Sequence, residues 1–121
     1  MNCIMPIKTI YADMIRAGTK TVELRKRKMK PCEFVYLYEI SPVSAITLKF
    51  KWHEPIEAAP EELWEIVKDN AGITQQEYNE YFKTMRMAYA YPITKIYHIG
   101  IQESNKLLKD KNPPQSYIYT I

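Results

Sequence analysis

Three residues whose types suit recognition of a polar ligand, Lys20, Glu23 and Arg25, lie close together in the stretch RAGTKTVELRKRKMK of residues 16–30. Lysine offers a compact ammonium on a flexible stem, and arginine a planar fork that matches phosphate or the edge of guanine. Glutamate accepts hydrogen bonds from exocyclic amines. The segment TVELR alternates as a strand does, so Val22 and Leu24 point one way and Thr21, Glu23 and Arg25 the other. Glu23 and Arg25 can therefore each take one edge of a ligand, or pair with each other in a surface salt bridge worth roughly 0–1 kcal/mol. A carboxylate and an amine also support general acid–base chemistry, which makes Lys20 and Glu23, with the neighbouring hydroxyl of Thr21, the candidates for catalysis.

Further candidates are less specific. Lys26, Arg27 and Lys28, with Lys30 after them, form either a phosphate-binding rail or a solvated basic turn. Tyr36, Tyr38, Tyr89, Tyr91, Tyr97, Tyr117 and Tyr119 alternate, as cross-strand pairs do, so one or two at most are expected to touch a ligand. Gln115 and Ser116 follow Pro113-Pro114, which fixes the approach of the chain, and a Gln amide can read a base edge as donor and acceptor at once. His53 and His98 stand apart with no Cys/His/carboxylate cluster, so no metal or other cofactor is expected. No Ser/His/Asp or Cys/His arrangement is present to mark a nucleophile.

The elements that must position these residues follow from the pattern. CIMPIK reads as a first strand, and Thr9 as the N-cap of a short helix, IYADMIRAG. That helix sets Ile10, Met14 and Ala17 on one side, with Tyr11 and Ile15 alongside, and Gly18 stands where a C-cap needs positive φ. EFVYLYEI and VSAITLKFKW are β-rich runs. Pro60 suits a first helical position before EELWEIV, and Thr74-Gln75-Gln76-Glu77 has the form of a capping box. MAYAYPI, TKIYHIGI and SYIYTI return to strand character. Five or six strands with few helices predict an α+β fold, a small antiparallel barrel or sheet flanked by helices. A doubly wound parallel sheet does not fit that order.

With 121 residues, 46% hydrophobic and 26% charged, the chain has the composition of one globular domain. No apolar run approaches the length of a membrane span, and the start MNCIMPIKTIYAD lacks the pattern of a leader. Cys3 and Cys32 are too few for a disulfide framework, which makes the cytoplasm the expected compartment and a membrane an unexpected partner. The net charge of +3 is unevenly spread: residues 1–53 carry +6, residues 54–81 carry −7, and the remainder +4. One face attractive to phosphates and another that repels them is one reading of this, and strands with Lys on the wet side and helices with Glu is the other. The exposed acids Glu61, Glu62, Glu65 and Asp69 would also permit a protein partner.

The stretch IKTIYADMIRAGTKTVELRKR resembles the N-terminal motif of ASCH domains, a branch of the PUA-like superfamily. An apolar strand ending in Lys, a helix with Tyr-Ala, and Gly-x-Lys-x-x-Glu-x-Arg map onto Lys8, Tyr11, Ala12, Gly18, Lys20, Glu23 and Arg25. YLYEISPVSAI is similar to the family's Tyr-rich strand and Ser-Pro turn, which contains Ser41. ELWEIVKDNAGITQQEYNEYFKTMRMAYAYPI is similar to its helical insert, here at about 58–83, and the strand that follows, and NPPQSYIYTI to its ending. One departure is Thr47, where members commonly have Gly; it is expected to narrow the space beside the cleft.

The resemblance implies one PUA-like domain over 1–121 that binds nucleic acid, RNA above all, or a free modified nucleoside, with a regulatory role in transcription or translation. The implied contacts are Lys8, Lys20, Glu23, Arg25, Lys26, Arg27, Ser41, Gln115 and Ser116. The alternative is an enzyme: some members hydrolyse an acylated cytidine amide through Lys, a hydroxyl residue and Glu, and others are ribonucleases. Lys20 matches the motif Lys, but Glu23 stands where that branch has its hydroxyl.

Overall fold

The structure, a computed structural model, describes residues 1–109 and the strand 118–120. Among the described residues eight strands and four helices follow in the order β1 (Asn2–Ile7), α1 (Thr9–Ala17), β2 (Val22–Arg25), β3 (Phe34–Glu39), β4 (Ala45–Lys51), β5 (Ile56–Ala58), α2 (Pro60–Val67), α3 (Gln75–Phe82), β6 (Ala88–Pro92), β7 (Ile96–His98), α4 (Ile101–Leu108) and β8 (Ile118–Thr120). The strands form two sheets, ordered β7-β4-β3-β1-β8 and β2-β6-β5. The α+β expectation holds, as sheets rather than a closed barrel among the described residues. Pairing is antiparallel throughout except between β1 and β3, which run parallel, with α1 and β2 inserted between them in sequence.

Alternation along the strands builds the core in three parts. Cys3, Met5, Ile7, Val35, Leu37, Leu48 and Phe50 share one face of the larger sheet and pack on Ala12 and Ile15 of α1 and on Tyr91. Ile4, Tyr36, Tyr38 and Ile46 point to the opposite face, where Ile99, Leu107 and Leu108 cover them. Val22, Leu24, Ala88 and Ala90 of the smaller sheet bury against Leu63 and Val67 of α2 and Tyr78 and Phe82 of α3. Burial first, and then its neighbour Cys32, pushes the Cys3 thiol up to about 12; both cysteines are free.

Several local expectations are met by the backbone. Gly18 closes α1 at φ 82°, and Pro60 starts α2. The capping box of α3 is complete: Thr74 Oγ1 accepts from the Glu77 N–H while Glu77 Oε1 accepts from the Thr74 N–H. Others are corrected. Lys8 rather than Thr9 is the extended residue before α1, and no side chain caps that end. The helix buries Ala12 and Ile15, leaving Ile10 60% exposed, because it lies on the sheet through its Ala-containing face. The run TKIYHIGI gives only the short β7, after which Ile101–Leu108 turn helical. There Ser104 is fully buried, its Oγ accepting 2.8 Å from the Ile46 N–H. No described helix is long and apolar enough to cross a membrane.

Candidate functional site

Lys20 is delivered by the end of α1. Gly18 N–H donates to Ile15 O, and the Thr19 and Lys20 N–H groups both donate to Met14 O, so the chain reverses within a few residues. It is then fixed as it enters β2, because Thr21 N–H donates to Asn70 O and Thr21 O accepts from Ile93 N–H. The Lys20 side chain is 3% exposed, and its Nζ donates 2.7 Å to Ala71 O and lies 5.4 Å from the centre of the Tyr11 ring. Burial lowers the Lys20 pKa; the Glu23 charge opposes that shift and Arg25 adds to it.

The carbonyl that receives Lys20 belongs to the α2–α3 connection, and Gly72 lets that connection come close. Its φ is +73°, and a Cβ there would stand 2.9 Å from Met14 Sδ and 3.3 Å from Lys20 Cβ. Glycine meets both demands at once.

Glu23 and Arg25 share the face of β2 opposite the apolar Val22 and Leu24, as alternation requires. Arg25 Nη2 reaches Pro6 O and Met5 Sδ, each at 3.1 Å. Glu23 is only 8% exposed, yet its Oε2 has no hydrogen-bond partner among the described residues, and neither has Arg25 Nε. No ion pair within 4 Å joins the two. Both open on a cavity of about 480 Å³, within the range of small-molecule pockets.

That cavity gathers residues far apart in sequence. Pro6, Ile7 and Lys8 from the end of β1, Tyr11 from α1 and Lys20 form one side. Ile73, Glu77, Glu80 and Tyr81 close the other, bringing the acidic insert against the basic motif. Hydrogen bonds from Thr74, backbone first, hold the Glu77 carboxyl below its ordinary value, with Tyr11 and Lys8 adding to the effect. Burial raises the phenols of both Tyr11 and Tyr81, and nearby Glu77 pushes Tyr11 further. In Tyr81 the Arg25 charge works against the rise.

Of the residues singled out in the sequence, Lys8, Lys20, Glu23 and Arg25 thus meet in one place. Lys26 stands at its edge, with Nζ 4.7 Å from the Tyr81 ring centre. Arg27 is exposed and Lys28 is engaged by Glu54 and Glu57, both at 3.5 Å, so the basic run is no uniform rail. Ser41 lies exposed on the β3–β4 turn, away from the cavity, and Thr21 is held by its backbone outside the lining. Thr47 does not narrow the cleft, because its hydroxyl donates to Glu39 in the larger sheet. Gln115 and Ser116 lie outside the described residues. No group of three His, Cys, Asp or Glu is placed to hold a metal among the described residues.

The sequence reading missed the far wall. Tyr11 sits in the motif, but Tyr81 carries no local signal, and neither belongs to the alternating tyrosines of the strands. It also missed Glu39, a 2% exposed carboxylate whose two oxygens accept from Arg16 Nη1 at 2.9 Å and Nη2 at 3.0 Å. Burial pushes this group up, but the Arg16 and Thr47 hydrogen bonds and the Arg16 charge outweigh it and hold it below the ordinary carboxylate range. A buried ionised carboxylate needs such partners, and α1 is tied to β3 by them.

Neither a family model nor a curated protein matches the chain. Solved structures do. The ASCH protein of Zymomonas mobilis superposes with a TM-score of 0.83 at 22% identity, covering 99% of this chain and 87% of that one. Two single-residue variants of the same protein give 0.83 and 0.84, also at 22% identity and 99% of this chain, over 90% and 88% of theirs. The topology described above, with its two sheets and its helical pair closing over the Lys20 turn, is therefore the ASCH fold.

Proposed function

We propose that the chain is a nucleic-acid- or nucleoside-binding domain of the ASCH type and that its cavity grips a single base. The observation that carries this is the buried, unpartnered pair Glu23 Oε2 and Arg25 Nε on one strand face. Leaving polar atoms buried and unsatisfied costs about 1–3 kcal/mol each, so a site that keeps them is arranged for a guest that supplies the missing bonds. A base edge does so: Glu23 accepts from an exocyclic amine, and Arg25 donates to a ring nitrogen or carbonyl. Tyr11 and Tyr81 provide rings for the faces of that base. Lys8, Lys20 and Arg25 are matched by Glu23, Glu77 and Glu80, a balance that favours the uncharged base over its phosphate. A regulatory role would act through occupancy by RNA.

The test is equilibrium binding of free nucleosides, N4-acylated cytidine among them, and of short single strands of RNA and DNA. Wild type should saturate at one base per chain, and Glu23→Gln should weaken that by tenfold or more while the circular dichroism is unchanged. Absence of saturable binding for every nucleoside and strand at low salt would falsify the reading.

A second reading, hydrolysis of a nucleoside amide, is favoured by one observation: Lys20 is buried with a lowered pKa, and the Glu23 charge acts on it. An amine so placed reaches its neutral, proton-accepting form more readily than a surface lysine. Thr21 is not among the residues that line the cavity, so the chemistry would rest on Lys20 and Glu23. Release of carboxylic acid from N4-acylated cytidine, abolished in Lys20→Ala, is the expected result; equal release by that variant excludes the role.

A further inference from the structure

The face of the larger sheet that looks away from the first core is not uniform. At one end Tyr38 and Ile46 lie under Ile99, Leu107 and Leu108. At the other end the register sets Phe34 beside Lys51, Tyr36 beside Lys49, and Lys49 beside Tyr97. Lys49 Nζ stands 4.3 Å from the Phe34 ring centre, 5.5 Å from Tyr36 and 5.6 Å from Tyr97. Lys95 Nζ lies 5.0 Å from the Tyr97 ring centre, and Phe34 meets Tyr97 edge to face at 6.1 Å. Tyr97 is 39% exposed, and Lys51 and Lys95 are exposed as well. Among the described residues no carboxylate lies within 4 Å of Lys49, Lys51 or Lys95.

We propose that this strip is a second binding surface, separate from the cavity, on which single-stranded nucleic acid lies with a base against Tyr97 and its phosphates along Lys49, Lys51 and Lys95. Two features together choose the occupant. Ammonium groups with no carboxylate within 4 Å among the described residues are complementary to a polyanion, unlike the cavity, whose lining holds as many carboxylates as cations. The rings of Phe34, half-buried, and Tyr97, exposed, lie between those ammonium groups and match flat bases that alternate with phosphates, a sequence-tolerant contact that needs no hydrogen-bond code. An acidic peptide would use the lysines and leave the rings idle. The inference does not depend on what the cavity binds.

The test uses the whole chain and a fluorescent ten-nucleotide oligouridylate at two salt concentrations, with free nucleoside binding measured in parallel. Two paired variants address the strip: Lys49→Met with Tyr97→Leu, and Lys51→Glu with Lys95→Glu. The second pair touches exposed residues only, so it preserves the test should the first impair folding. Each pair should weaken the ten-mer at least tenfold and flatten its dependence on salt, while nucleoside binding stays at the wild-type level. Poly-glutamate of equal charge should displace the strand poorly. Unchanged ten-mer affinity in both pairs, no ten-mer binding at low salt, or equal displacement by poly-glutamate would each overturn the proposal. Loss of nucleoside binding in Glu23→Gln bears on the cavity alone.

Discussion

Two buried glutamates in this chain have opposite surroundings. Glu39 is saturated, with Arg16 forked onto both oxygens and Thr47 donating to one of them. Glu23 lines a cavity with one oxygen unpartnered. Both lie on strands and both are nearly inaccessible, so burial does not separate them; the completeness of the partner set does. The satisfied carboxylate holds elements together; under the proposed function, the unpartnered oxygen of Glu23 is where a ligand would be received.

The largest effect should come from breaking the satisfied member. Glu39→Ala leaves the part-exposed Arg16 guanidinium with Asp13 alone and frees the Thr47 hydroxyl, and is expected to cost about 2–3 kcal/mol, read as a lower urea midpoint with an unchanged slope. A loss under about 1 kcal/mol would mean that α1 is held by Ala12 and Ile15 alone. The same carboxylate sets a pH dependence. Its folded pKa lies below the unfolded one, so its stabilisation is complete above the ordinary carboxylate range and drains as pH falls through the folded value. Melting temperature should therefore fall more steeply toward acid in wild type than in Glu39→Gln, and parallel curves would remove Glu39 from the account.

Gly72→Ala comes next. A left-handed residue with a side chain costs about 1–2 kcal/mol, and the new methyl meets Met14 and Lys20. The expected outcome is a lower melting temperature together with weaker ligand binding, since Ala71 O would shift away from Lys20 Nζ. The smallest change in stability belongs to Glu23→Gln, within about 0.5 kcal/mol of wild type, because no protein hydrogen bond to Oε2 is lost. A loss like that of Glu39→Ala would show the two glutamates to be alike.

What was legible in the sequence was local. Gly18, the Thr74–Glu77 box and the alternation of TVELR each follow from a few adjacent residues, and with them came Lys20, Glu23 and Arg25 on one side of the cavity. The opposite side was not legible, because Tyr81, Glu77 and Glu80 reach the motif only through the packing of α3. Glu39 reads in sequence as one acid in a strand, and its partner Arg16 as one more exposed base on a helix. The helix α4 lacks a side-chain N-cap, and its short run IQESNKLL follows directly on strand-like residues, so periodicity had little length to act on.

The placement of β1 between β3 and β8 has a consequence for how the chain is made. Residues 2–7 are made before their partners at 34–39, and Asn2, Cys3 and Ile4 pair on their other side with Thr120, Tyr119 and Ile118, which follow every other described strand. Until those residues emerge, the apolar segment NCIMPI presents an open strand edge, the kind of template on which other chains add. Its protection comes after the other described strands, so removal of residues 118–120 should raise the tendency of the chain to aggregate, read as light scattering on refolding.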